Sequence, residues 1–134
     1  MYVIRTVLTA LTPALGLATT AAAAPLEART SNSGGVSIAG KALSLDADAK
    51  SWGVEVSMNT HTKPLDQDLA RVSALVDGGG TQYKPSAWTG EPPGGHHRKG
   101  VPQFAPVAGT SKFLELRITG TATPGVRVFA WTLR

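Results

Sequence analysis

The chain has no cysteine. Thiol nucleophiles, thiolate metal ligands and stabilising disulfides are therefore excluded, and stability must come from packing, hydrogen bonds or a bound ion. Aromatic residues are sparse, at 6 % of the chain, and only three histidines occur. The excess of basic residues is small, with 13 Lys and Arg against 9 Asp and Glu. The cations are dispersed apart from Arg98-Lys99. A nucleic-acid binder needs a basic stripe with interleaved aromatics, and this pattern is missing. Also missing are a nucleophile elbow, a phosphate-cradling glycine loop and an HExxH pair. Ser57 and His61 are four positions apart on one extended segment, about 13 Å at the standard rise, too far for direct nucleophile activation. The expectation is a protein that is not an enzyme.

What is present begins with an export pattern. "MYVIRTVLTALTPALGLATTAAAAP" combines one cation, Arg5, an apolar stretch from Thr6 to about Leu17, and an alanine-rich exit. These are the three parts of a secretory signal, with cleavage expected after Ala23 under the small-x-small rule. The apolar stretch is shorter than the roughly 20 residues that span a bilayer and is broken by Pro13. The reading is therefore a signal peptide over 1–23, a polar leader over 24–35 and one domain over 36–134. A secreted or periplasmic protein without a stable membrane anchor follows.

The hydrophobic pattern is mostly of period two. Val36, Ile38, Leu43 and Leu45 alternate with a phase break near Gly40, which predicts a bulge. Trp52, Val54, Val56 and Met58 take one face, with Glu55, Ser57 and Asn59 on the other. Leu65, Leu69, Val72 and Val76 fit a short helical stripe, but "RVSALVD" followed by Gly78, Gly79 and Gly80 reads better as a hairpin. Leu114, Leu116 and Ile118 form another inward row. The last strand sets Val126, Val128, Ala130 and Thr132 against Arg127, Phe129, Trp131 and Leu133, apolar on both faces. Six to eight short strands with frequent turns predict an all-β antiparallel sandwich of immunoglobulin-like architecture.

All three imidazoles lie in two segments, "MNTHTKPLDQD" and "GEPPGGHHRKG". If both reach one end of a sandwich, His61, His96 and His97 with Asp66 or Asp68 could hold a divalent transition metal, zinc or copper, since neutral imidazole suits both. Strand alternation places Met58 in the core and His61 outward, so these two should not share an ion. Two other readings use the same loop. One or both imidazoles could brace a proline- and glycine-rich segment that lacks regular backbone partners, or Arg98, Lys99 and loop amides could bind an anion. Asp66-Gln67-Asp68 and Asp46-Ala47-Asp48 lack the rest of a calcium loop and read as turns and caps. Trp52, Trp88 and Trp131 read as core, with Trp88 beside Pro92-Pro93 as a candidate groove wall.

The segments around Thr60-His61, Leu65-Asp66-Gln67-Asp68-Leu69, Trp88-Thr89-Gly90 and Gly94-Gly95-His96-His97, with the ending Arg127-Val128-Phe129-Ala130-Trp131, resemble a family of small exported prokaryotic β domains. The likeness covers residues 52–134. It implies an envelope-located β domain sharing the His61, Asp66, Asp68, His96 and His97 constellation, and no activity. Against that pattern Pro102 is expected to interrupt the strand after the histidines. The reading carried forward is a metal-holding module, with a non-catalytic structural or protein-interaction domain as the alternative.

Overall fold

A computed structural model of the protein describes residues 26–46, 48–107, 112–121 and 125–133. The expected signal segment and its cleavage point lie outside them. Nine strands and one short helix follow in order: β1 (Arg29–Ser33), β2 (Val36–Ser44), β3 (Trp52–Thr60), α1 (Leu69–Val72), β4 (Ser73–Asp77), β5 (Gln82–Tyr83), β6 (Ala87–Gly90), β7 (His97–Phe104), β8 (Phe113–Thr119) and β9 (Val126–Thr132). They form two antiparallel sheets, β1-β2-β3-β7-β6 and β5-β4-β8-β9. No helix among the described residues is long and apolar enough to cross a membrane.

The alternation read from the sequence explains most of the core. Trp52, Val54, Val56 and Met58 of β3 are buried, as are Leu114, Leu116 and Ile118 of β8. They share one apolar cluster with Val36 and Ile38 of β2, Leu75 of β4 and Phe129 and Trp131 of β9, so both sheets contribute to a common interior. The helical stripe and the hairpin are both real. The helix covers only Leu69 and Val72 of the stripe, with Leu65 buried ahead of it, and the chain then enters β4 and turns at Asp77 into β5. One turn of helix suffices because Asp68 caps it, its Oδ1 accepting from the Ala70 amide at 3.1 Å.

Three details differ from the expectation. Residues 29–33, expected in a flexible leader, form β1. This strand lies at a sheet edge and is largely exposed, so its polar composition carries no inward apolar row to read. The irregularity in β2 falls between Ala42 and Ser44 rather than at Gly40, which turns Leu43 outward at 52 % exposure. Pro102 does not interrupt β7. The register runs in phase from Trp52↔Phe104 to Asn59↔His97, with Pro102 opposite Trp88 of β6. Proline's fixed φ suits extended backbone and removes only one donor, and the β3–β7 pairing steps over Val54 and Glu55 at that point.

In β9 the inward row is Arg127, Phe129 and Trp131, while Val126 and Val128 face outward at 47 % and 49 % exposure. Arg127 is only 2 % exposed. Its guanidinium donates to the carbonyls of Ser31, Ser33, Val36 and Thr121, and to Ser31 Oγ at 3.1 Å. Burial holds its pKa below the usual arginine value. No carboxylate takes part in this set; peptide oxygens of β1 and the neighbouring turns serve the cation instead. On the same seam Arg29 Nε donates to Ala130 O at 3.1 Å and Trp131 Nε1 to Glu27 O at 2.7 Å. The first and last strands, edges of different sheets, are thus tied by side chains.

Candidate functional site

The histidine loop is positioned by β3 and β7. Asn59 and His97 are direct partners across these strands, and His97 Nδ1 donates to Asn59 Oδ1. One position earlier in β7's approach, Thr60 N donates to His96 O at 2.9 Å and His96 Nδ1 donates to Thr60 O at 3.2 Å. A carbonyl can only accept, so the His96 proton at Nδ1 is fixed by its partner. Thr60 itself is buried, and its hydroxyl donates to Gly35 O at 2.9 Å while accepting from Lys63 N at 3.0 Å. The end of β3 is therefore the common anchor of the β1–β2 turn, the 61–68 segment and the histidine loop.

The residue that joins the two motif segments is Arg98. Its backbone lies opposite Met58, a core position, so β7's alternation sends the guanidinium inward while His97 and Lys99 face solvent. Arg98 is 3 % exposed. It donates from Nη1 to Leu65 O and Gln67 O, and from Nε to Glu91 O at 3.2 Å. Its guanidinium carbon sits 5.1 Å from the Trp88 ring centre. Burial pulls the Arg98 pKa down, and the carboxylates of Asp68 and Glu91 oppose that pull. The group keeps its charge, because arginine does not lose its proton in proteins.

Local sequence explains the room for this arrangement. A Cβ at Gly100 would lie 2.4 Å from the Trp88 ring, and one at Gly90 would lie 2.4 Å from Gly100 Cα. The Gly90↔Gly100 pair thus lets the indole lie flat on β7 beneath Arg98. Trp88 Nε1 donates to Glu91 O at 3.0 Å, the same oxygen that serves Arg98. Glu91 also exchanges backbone and side-chain bonds with Lys99, accepting from Lys99 N at 2.8 Å and donating to Lys99 O at 3.0 Å. Between these anchors the chain passes Pro92 and Pro93 and reverses at Gly94 and Gly95, with φ of 113° and 77°. Gly94 N donates to Leu65 O at 2.8 Å.

The structure therefore brings the two motif segments together, through backbone and Arg98. His96 and His97 meet Thr60 and Asn59 rather than His61 or the aspartates. His61 is exposed just past β3, Asp66 is exposed, and Asp68 is occupied as the helix cap. Asp66 lines a groove of about 620 Å³ with Lys63, Gln67, Gly34 and Gly120. Among the described residues, no three of histidine, cysteine, aspartate and glutamate are grouped as a metal would need. Arg98, read from the sequence as a candidate anion ligand, is turned inward onto carbonyl oxygens, and the signal for this was that Arg98, Gly100, Pro102 and Phe104 keep the inward phase of a strand paired with Trp52–Met58.

Known families, curated proteins and solved structures offer no match to this chain. Its chemistry is read from its own residues. Outward on the same strands, Lys99 Nζ and Glu55 Oε1 are 3.4 Å apart at a largely exposed position, an ion pair of small energetic weight.

Proposed function

We propose that the protein is a non-catalytic interaction domain of the cell envelope or extracellular space, an immunoglobulin-like β-sandwich that presents a braced loop to a partner. The export pattern of the first 23 residues supports the location, and the resemblance of residues 52–134 to small exported β domains agrees with it. The observation that carries the reading is the occupation of His96, His97 and Arg98 by Thr60, Asn59, Leu65, Gln67 and Glu91. A Pro-Pro-Gly-Gly segment has few backbone partners of its own, and these side chains hold its two ends in one geometry. A loop ordered before contact binds with less entropic loss than one ordered by its partner.

A second reading is favoured by one detail. Both imidazoles donate at Nδ1, so a neutral ring carries its lone pair at Nε2, the arrangement that metal-ligating histidines use. The corresponding proposal is zinc or copper captured by His96 or His97, with His61 and Asp66 or Asp68 drawn in on binding, since these groups do not stand together beforehand among the described residues.

One experiment separates the two. The purified protein is melted with added zinc or copper and with chelator, alongside His61→Ala and His96→Ala/His97→Ala. In the brace reading the double variant melts several degrees lower, His61→Ala is unchanged, and neither metal nor chelator moves any curve. Stoichiometric metal in the wild type, lost in both variants, overturns the brace in favour of the metal module.

A further inference from the structure

The outer face of the second sheet carries a surface that no strand among the described residues covers. On β9 the outward row is Val126, Val128 and Ala130, and two of these are about half exposed. A solvated strand face is ordinarily polar, with apolar residues confined to the inward row. Across the register Val128 lies beside Arg117 of β8, and Arg117 beside Ala74 of β4, which is buried, so the apolar strip is confined to β9 and bordered by charge. A groove of about 450 Å³ runs across these strands, bounded by Lys84 and Thr119.

At the middle of this face is one ion pair on β8. Arg117 Nη2 is 2.8 Å from Glu115 Oε2, and Arg117 Nε donates to the same oxygen at 3.0 Å. Opposite charges two residues apart on one strand form a self-complementary pattern. When a second identical strand is laid antiparallel across the first, with Leu116 at the two-fold axis, each Glu115 meets the other copy's Arg117. A two-fold interface of this kind uses the same patch on both molecules. On β9 the same axis sets Val128 over Ala130 of the other copy, Phe129 being level with Leu116, and the central charges arrive already neutralised, which lowers the cost of drying them.

We infer that the β4-β8-β9 face is a self-association surface, and that its occupant is a second copy of this chain related by a two-fold axis near Leu116. The surface is independent of how the histidine loop is read. The test is sedimentation of the full protein from about 1 μM to about 1 mM, the range in which weak homodimers dissociate. Wild type is expected to approach twice the monomer mass with rising concentration. E115R and R117E each place like charges across the axis and are expected to weaken association at least tenfold. An equimolar mixture of the two variants restores opposite charges and should recover the dimer, which a merely misfolded variant could not do. V128D should dissociate the dimer without rescue by either. A monomeric wild type at every concentration, or a dimer untouched by E115R and R117E, overturns the inference.

Discussion

Arginine, rather than histidine, is the residue that organises this molecule. Arg98 and Arg127 are both buried, and their hydrogen-bond partners are mainly peptide carbonyls. A guanidinium suits that role because its five donors are fixed in one plane and its charge is weakly hydrated. Replacing Arg98 by Met retains much of the volume and leaves the Leu65, Gln67 and Glu91 carbonyls without their charged donor. Leu65 O keeps the Gly94 amide and Glu91 O the Trp88 indole, so the expected loss is about 1–3 kcal/mol, the cost of orphaning the Gln67 carbonyl, measured by urea unfolding. Trp88 fluorescence should change in the folded state of the same variant, since the cation leaves the indole face. Lysine should not rescue, as a point charge cannot reach three carbonyls with a planar fork. At this scale the sequence was informative about apolar residues, such as Met58, and misleading about Arg98 and Arg127. An arginine on an alternating strand has a prior for solvent, and only the register of its neighbours shows that it points inward.

At the scale of elements, the β4–β5 turn is the part whose chemistry was most openly written. Asp77 followed by three glycines was read as a hairpin, and the carboxylate does the closing: Oδ1 accepts from Gly79 N at 2.9 Å and Thr81 N at 3.0 Å, and Oδ2 from the Tyr83 hydroxyl at 3.0 Å. The Thr81 amide is the largest cause of a pKa below the ordinary 3.8, with Tyr83, Gly79 and Gly80 adding to it and desolvation opposing. The same contact holds the Tyr83 hydroxyl above its usual value. A depressed folded-state pKa means that the contribution is complete above the unfolded value and is lost as pH falls through the folded one. The Thr81 and Gly79 amides should therefore gain exchange rate below about pH 3.8, beyond the intrinsic trend, and this acid-dependent excess should vanish in Asp77→Asn. Strand β7 was harder to read because Pro102 is a breaker by propensity. Pairing on both sides of β7 overrides that propensity. Strand β1 was unreadable, since an exposed polar edge has no periodicity.

For the whole molecule, the two-sheet, nearly all-strand organisation was legible because inward rows on β3 and β8 are clean and long. The meeting of the 59–68 and 91–98 segments was also foreseen, though the bonds that make it are different ones. What no local pattern encodes is the joining of β1 to β9: Arg127 reaches Ser31 and Ser33, more than 90 positions away.

That reach has a consequence for solubility. β1 is an edge strand, and Arg127 reaches its Ser31 and Ser33 carbonyls from the buried side, seating β1 against β9. An edge strand that comes loose exposes peptide groups that act as a template for strands of other molecules. The buried guanidinium works as a rivet that keeps that edge seated. Arg127→Leu should thus do more than lower the melting point. It should convert a dispersed protein into one that stains with amyloid dyes after prolonged incubation, whereas a core truncation such as Ile118→Ala, which costs about 2–5 kcal/mol, should stay clear under the same conditions.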